Sequence, residues 1–162
     1  MSQERTRAAA RRFIAQNRAA GFHYEISARY EAGIVLRGSE VKSLRDGRVQ
    51  LSEAYASVDG GEVWLRQMHI ASFFAARAFP PVERAPRKLL LHAKEIRELE
   101  RSVSREGHAL IPLELYFKDG RVKVTLGVGR GRKAHDKRAV LAEKTAAREA
   151  LEAVRARRDG RG

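Results

Sequence analysis

The sequence predicts a mainly β domain with short helices, followed by a basic C-terminal tail that is mobile or helical. Three observations carry this. Between residues 22 and 128, apolar and polar side chains alternate with period two in several short runs. Two of the boundaries between runs are Asp-Gly turns, Asp59-Gly60-Gly61 and Asp119-Gly120. After Arg138 the chain is rich in Ala, Arg and Glu and poor in large apolar residues.

Residues 1–20 form a basic arm, with Arg5, Arg7, Arg11, Arg12 and Arg18 opposed only by Glu4. Ala8 to Gln16 suits a short helix or a frayed arm, either solubilising the chain or lying on phosphates. Residues 21–129 form the barrel. Phe22, Tyr24, Ile26, Ala28 and Tyr30 alternate with polar residues as a half-buried strand does, and Glu31-Ala32-Gly33 is expected to break it as a bulge or turn. A helix is expected over Gly38 to Gly47, with Ser39 as N-cap, Val41 and Leu44 inward, and Lys42 and Arg45 together on a neighbouring face. Ala54 to Val58 and Glu62 to Met68 read as a hairpin. Trp64 is expected in the core, with a stacking platform as the other reading. Leu89-Leu90-Leu91 reads as a buried anchor before a helix from His92 to Val103. His108 to Lys118 and Arg121 to Val128 form the clearest hairpin. Many short strands with small inserted helices point to an OB-like closed β-barrel, a plan that often hosts nucleic acid on one face.

The 33 Lys and Arg against 20 Asp and Glu give a net charge of +13. That is the electrostatic footprint of a nucleic-acid binder, with a membrane surface as the competing anionic partner. No apolar run approaches the ~20 residues of a membrane span, and no apolar stretch follows the N-terminal charges, so a cytoplasmic protein is expected. The absence of cysteine excludes disulfides, thiolate nucleophiles and Cys-ligated zinc. His23, His69, His92, His108 and His135 lack metal-ligand spacing, and Gly127-x-Gly129-x-Gly131-x-Lys133 lacks both the Walker spacing and a following Ser or Thr. No catalytic residue, metal or cofactor is expected.

Residues 130–162 form the tail. Its root, Gly129 to Arg138, reads as a hinge loaded with phosphate-binding charge or as a solvated basic linker. Beyond it, Lys137, Lys144, Arg148 and Arg155 fall within roughly 40° of one another on a helix at ~100° per residue. That stripe suits a segment mobile when free and helical when bound; an ordinary mixed-charge surface helix is the alternative.

Four runs then line up with a known family. They are Glu31 to Arg45 (Glu-Ala-Gly-Ile-Val-Leu-Arg-Gly-Ser-Glu-Val-Lys-Ser-Leu-Arg), Arg87 to His92, Pro112 to Phe117 with Gly120 to Lys123, and Gly131 to Arg138. In these runs the chain resembles the SsrA-binding, or small protein B, family. The resemblance implies an OB-like, non-enzymatic RNA-binding protein that binds the tRNA-like part of transfer-messenger RNA and delivers it to stalled ribosomes for trans-translation, as a monomer. It assigns RNA binding to Asn17, Arg18, Glu31, Lys42, Arg45, Arg87, Lys88, Leu90, His92 and Lys123. It assigns work in the decoding site and messenger channel to Gly131, Arg132, Lys133, His135, Asp136, Lys137 and Arg138. Ala19 to Gly21 and Phe79 to Glu83 depart from the family pattern, so no RNA role is expected there. A general RNA-binding OB protein with a merely electrostatic tail is the competing reading.

Overall fold

The computed structural model describes residues 11–72 and 82–160. In chain order its elements are β1 (Arg11–Gln16), α1 (Ala20–His23), β2 (Tyr24–Ile34), α2 (Gly38–Arg45), β3 (Val49–Gln50), β4 (Tyr55–Asp59), β5 (Glu62–Arg66), β6 (His69–Ile70), β7 (Arg87–Leu90), α3 (Ala93–Glu106), β8 (Ala109–Lys118), β9 (Arg121–Gly131) and α4 (Ala134–Asp159). Strands β8, β4, β5, β7, β2 and β9 follow one another in space, and β9 pairs back onto β8. The sheet therefore closes into a ring, which is the mainly β, OB-like plan expected. Among the described residues no helix is long and apolar enough to cross a membrane.

Period two builds the ring. In β9, Val122, Val124 and Leu126 are buried, while Arg121, Lys123 and Thr125 face outward. Val63, Leu65, Leu89, Leu110 and Leu115 supply the facing layer, each at most 1% exposed. Burying each such side chain contributes about 1.5–3 kcal/mol, so the ring carries its own core. The β8–β9 hairpin turns through Asp119 and Gly120, both at positive φ, as a two-residue turn requires. Near the other end of β9, the register of β2 slips between Ile26 and Ala28. A Cβ on Gly129 there would lie 2.3 Å from the Glu25 carbonyl oxygen, so only glycine lets the strands approach.

Several expectations change. Arg11–Gln16 is neither helix nor loose arm but a strand on β8, because the C-terminal half of β8 offers an unpaired edge beyond its contact with β4. Residues 1–10 lie outside the described residues. Glu31, Ala32 and Gly33 do not break β2; they pair in register with Thr125, Val124 and Lys123, and the irregularity sits upstream. The α2 helix starts at Gly38, with Arg37 as its N-cap and Ser39 inside it. Trp64 is only half-buried: Val63 and Leu65 take the core, and strand alternation sends the residue between them outward. The same alternation splits the leucine run, leaving Leu89 inside and Leu90 52% exposed. At the hinge, β9 runs through Gly131 and α4 starts at Ala134, so only Arg132 and Lys133 connect them. The tail is a continuous helix of 26 residues in the free chain.

One buried ion pair ties α2 to β7. Arg87 Nε donates to Glu40 Oε2 at 2.6 Å, and its other nitrogens donate to the carbonyls of Met68 at 2.7 Å and Glu83 at 3.0 Å. Glu40 Oε1 also accepts the Arg37 N–H at 2.9 Å, which closes the first turn of α2. Both side chains are almost fully enclosed. Arg87→Ala should therefore cost about 3–5 kcal/mol in urea unfolding, because it strands a buried carboxylate. The double change Glu40→Leu with Arg87→Met should recover part of that loss; a single-variant loss below ~1 kcal/mol would show that the pair is not desolvated.

Candidate nucleic-acid interface

A row of side chains crosses the outside of the ring where β7, β2, β9 and β8 lie side by side. Leu90 pairs with Gly33, Gly33 with Lys123, and Lys123 with Tyr116. Residues directly opposite in a sheet share a face, so these four lie in line. Glu31 stands one step along the same face of β2, with Lys118 one step along from Tyr116 on β8. The missing side chain at Gly33 leaves a dent between Leu90 and Lys123; a Cβ there would sit 3.3 Å from Leu90 Cβ. The dent belongs to a cavity of about 290 Å³ that also reaches Val41 of α2 and Arg121. The fold thus gathers Glu31, Leu90 and Lys123, far apart in the chain, beside the helix that carries Lys42 and Arg45.

Glu31 is held from behind. Tyr116 Oη donates a short hydrogen bond to Oε2, and Lys118 Nζ donates to Oε1 at 3.1 Å. The Tyr116 bond, helped by the charges of Lys118 and Lys123, holds the carboxyl below its ordinary value despite the opposing effect of burial. Tyr116 is itself 2% exposed although it points away from the core. Arg11 covers it, with its guanidinium carbon 3.8 Å from the ring centroid. Arg11 also reaches Glu114 at 3.2 Å, and Thr125 donates to the same Glu114 oxygen at 3.1 Å. Burial and the bond to Glu31 push the Tyr116 hydroxyl up to about 12. Tyr116, Lys118, Arg121 and Arg11 were not singled out from the sequence. Period two from Lys123 across the Asp119-Gly120 turn points to the first three; Arg11 needed the unforeseen β1–β8 pairing.

The other predicted RNA residues divide. Arg18, Lys42, Arg45 and His92 are exposed. His92 is also the N-cap of α3, its N–H donating to Glu95 Oε1 at 3.1 Å. Lys88 is outward but paired with Glu62 at 3.1 Å. Asn17 is a clasp: its side-chain amide donates to Pro112 O at 3.1 Å and Leu51 O at 3.4 Å. Arg87 is enclosed in the ion pair described above, so it supports the surface from beneath and has no face to offer a ligand.

The tail residues divide too. Gly131 pairs with Tyr24 at the end of β9. The Arg132 N–H donates to His23 O at 2.8 Å and its Nε to Gly21 O at 3.2 Å, while Lys137 Nζ stands 6.0 Å from the Phe22 ring centre. The root of the tail is thereby seated on α1. Lys133, His135 and Arg138 are exposed; the His135 ring, 71% exposed, has Nε2 2.9 Å from Asp136 Oδ1.

The raised Tyr116 value fixes a sign. Its neutral form is favoured by the fold, so that contribution to stability is complete below pH 10, the ordinary value, and is lost as pH rises toward about 12. Alkaline spectrophotometric titration should show Tyr116 as a late-ionising tyrosine, and Tyr116→Phe should delete that step. A wild-type chain whose tyrosines all ionise together near pH 10 would contradict the clamp.

Comparison with known proteins bears on this surface. A sequence model of the family described as SmpB protein matches residues 14–156. The SsrA-binding protein of Sinorhizobium fredii is 46% identical over 145 residues, covering 89% of this chain and 91% of that one. The SsrA-binding protein of a Nocardioides species is 47% identical over 150 residues, covering 93% and 94%. A solved structure described as "tmRNA-SmpB: a journey to the center of the bacterial ribosome" superposes with a TM-score of 0.63 at 43% identity, covering 75% of this chain and 85% of that one. The chain belongs to the SmpB family.

Proposed function

We propose that this chain binds the tRNA-like part of transfer-messenger RNA through the outer face around Glu31, and carries it to stalled ribosomes for trans-translation. Helix α4 then acts in the decoding site and messenger channel. The single observation that carries this reading is the assembly of Glu31, Leu90 and Lys123 on one outward row beside α2. The relatives' name and the ribosomal complex that the structure resembles support the same partners. The chain works as a monomeric, non-enzymatic binder in the cytoplasm, with no cofactor.

The chemistry of the surface suits RNA. Lys118, Arg121 and Lys123 supply phosphate contacts, and Leu90 offers an apolar face to an unstacked base. Glu31 is exposed on a sheet, so Glu31→Ala removes an interaction without opening the core. It should weaken binding of the tRNA-like fragment by tenfold or more, roughly the loss of one charge-assisted contact, while the stranded Tyr116 hydroxyl lowers stability by about 1–3 kcal/mol without abolishing the cooperative urea transition. Log K against log salt should slope at roughly −3 to −5, for about four to six neutralised phosphates. A flat salt response, or equal affinity of Glu31→Ala and wild type, would defeat the reading.

The tail is the separable half. Ending the chain at Lys133 keeps β9 whole and keeps both Arg132 contacts with α1. That truncation should retain its unfolding transition and its affinity for the RNA fragment yet fail to support peptide tagging. His135→Ala in the full chain should impair tagging more than RNA binding, since the ring lies on α4 away from the Glu31 row. Tagging by the truncated chain would refute the division of labour.

A further inference from the structure

Helix α3 has two faces of opposite character. At about 100° per residue, Ile96, Leu99 and Val103 fall on one side, and Lys94, Arg97, Arg101 and Arg105 lie within roughly 80° of one another on the opposite side. Leu99 is fully buried and Ile96 packs on the core, which turns the four cations to solvent, where all are exposed. None of them has an ion pair or hydrogen bond among the described residues. The acids of the helix are drawn elsewhere. Glu95 Oε1 accepts the His92 N–H at 3.1 Å, Glu98 Oε2 accepts the Tyr30 hydroxyl at 3.0 Å, and Glu106 Oε2 lies 3.0 Å from His108 Nδ1. Glu98 is the natural partner of Lys94, four before it, or of Arg101, three after it, and Tyr30 holds it away from both. Arg97 and Arg101, and Arg101 and Arg105, stand four apart, so each pair weakens the helix that carries it. An anion laid along the stripe removes that opposition.

The shape of the stripe selects the anion. It runs about 16 Å from Lys94 to Arg105 at 1.5 Å per residue, a line suited to successive phosphates of one strand. Single-stranded nucleic acid is held by stacking on aromatic rings, and α3 contains none. A membrane-surface helix must bury an apolar face in the lipid, and here that face is already spent on the barrel. Charge without stacking or insertion suits the backbone of a double-helical RNA, which proteins grip through phosphates and shape. The position of α3 selects the source. Tyr30 and Glu31 are successive strand residues, so they point to opposite sides of β2. Tyr30 meets Glu98 of α3, while Glu31 lies on the outer row. The α3 stripe is therefore separate from that row, and RNA on one leaves the other open.

We propose that Lys94, Arg97, Arg101 and Arg105 form a second RNA-docking surface, which takes the backbone of a double-helical segment of ribosomal RNA while the Glu31 row holds the carried RNA. This rests on the RNA-binding reading above. The stripe works without α4, whose own cations lie on a different helix. It contributes affinity for the ribosome and carries no base sequence preference, because phosphate contacts position a duplex without reading it.

The test uses the full chain saturated with the tRNA-like fragment, which fills the Glu31 row, and a blunt RNA duplex of about 16 base pairs as probe. Amide NMR shifts on adding the duplex should fall on residues 94–105. The combined change Arg97→Gln, Arg101→Gln and Arg105→Gln keeps good helix formers at exposed positions. It should weaken binding of the duplex and of ribosomes by about tenfold and make the slope of log K against log salt shallower by about two to three. Affinity for the tRNA-like fragment should stay at the wild-type level. Arg101→Gln, the central position, decides if the triple variant does not fold, and should make the slope shallower by about one. Undiminished duplex or ribosome binding by the variants would overturn the proposal, as would shifts confined to residues 134–159, which assign the duplex to α4. Loss of the fragment along with the duplex would move the stripe to the carried RNA and overturn the ribosomal assignment. Binding to phosphatidylglycerol vesicles that the variants lose, with the duplex unaffected, would make the partner a membrane. A wild-type chain that ignores the fragment sinks the RNA reading itself, whereas one that binds it, with variants that still dock on ribosomes, sinks this surface alone.

Discussion

Strand β9 is hydrogen-bonded along both edges, to β2 on one side and β8 on the other, and that double pairing closes the ring. Everything proposed for the surface depends on it. Lys123 sits in the middle strand of the outward row, with Gly33 on one side and Tyr116 on the other. A register slip of one residue in β9 would turn Lys123 inward and Val122 and Val124 outward. The buried Val122, Val124 and Leu126 prevent that slip, since their exposure would cost about 1.5–3 kcal/mol each. The same hydrophobic set that stabilises the fold thus fixes which cations face the ligand. Gly129 completes the arrangement, because without its close approach to Glu25 the far end of β2 could not stay paired.

Two glutamates show opposite uses of one functional group. Glu40 is enclosed, and its charge is compensated by Arg87 and by a backbone N–H. Its role ends inside the protein: it joins the start of α2 to β7. Glu31 is equally well supplied with donors, yet it keeps part of its surface in water. An enclosed pair has almost no surface to offer a ligand, and its desolvation has already been offset within the fold. A partly exposed carboxylate held by an immobile hydroxyl stays within reach of a ligand and loses little freedom on binding. Charge alone does not separate these cases, and neither does the sequence motif, because both residues lie within the same run from Glu31 to Arg45.

What the sequence made legible follows from this. Alternation and the two Asp-Gly turns disclosed β4, β5, β8 and β9, because those strands are amphipathic and joined by short turns. The buried face of β9 was readable residue by residue. Alternation also contained the answer for Trp64 and Leu90; weighing each by hydrophobicity instead of by its place in the strand put them inside. β1 was not legible, because its pairing depends on a free edge of β8 far along the chain, Arg11 lying opposite Lys118, and a short run such as Arg-Arg-Phe-Ile-Ala-Gln carries no period of its own. Among the site residues, Glu31, Leu90 and Lys123 came from the family resemblance. Their adjacency comes from the sheet register, which no local pattern encodes. Arg87 was misplaced for a related reason: an arginine between prolines and leucines reads as exposed until the partner that enters the core with it, Glu40, is found 47 positions earlier.

The tail tests how much apolar surface a helix needs. No residue of α4 is buried, and judged by packing alone it should be unfolded until bound. Its composition argues otherwise. Ala, Arg, Lys, Glu and Leu are strong helix formers, and 26 residues exceed the roughly 12–15 at which isolated helices become viable in water. Asp136 in the first turn and Arg157 and Arg158 in the last complement the helix dipole. The same helix carries a built-in repulsion, since Lys144 and Arg148 stand four apart on the basic stripe and such a pair costs a few tenths of a kcal/mol. A polyanion along that stripe removes the repulsion and meets a scaffold that is already ordered. Binding then spends little on folding the segment, and the rigid root formed by Arg132 and Lys137 on α1 fixes the direction in which the helix leaves the ring. A preformed, anchored cationic rod therefore leaves the ring at a set angle from the Glu31 face, which a flexible tail of the same charge could not do.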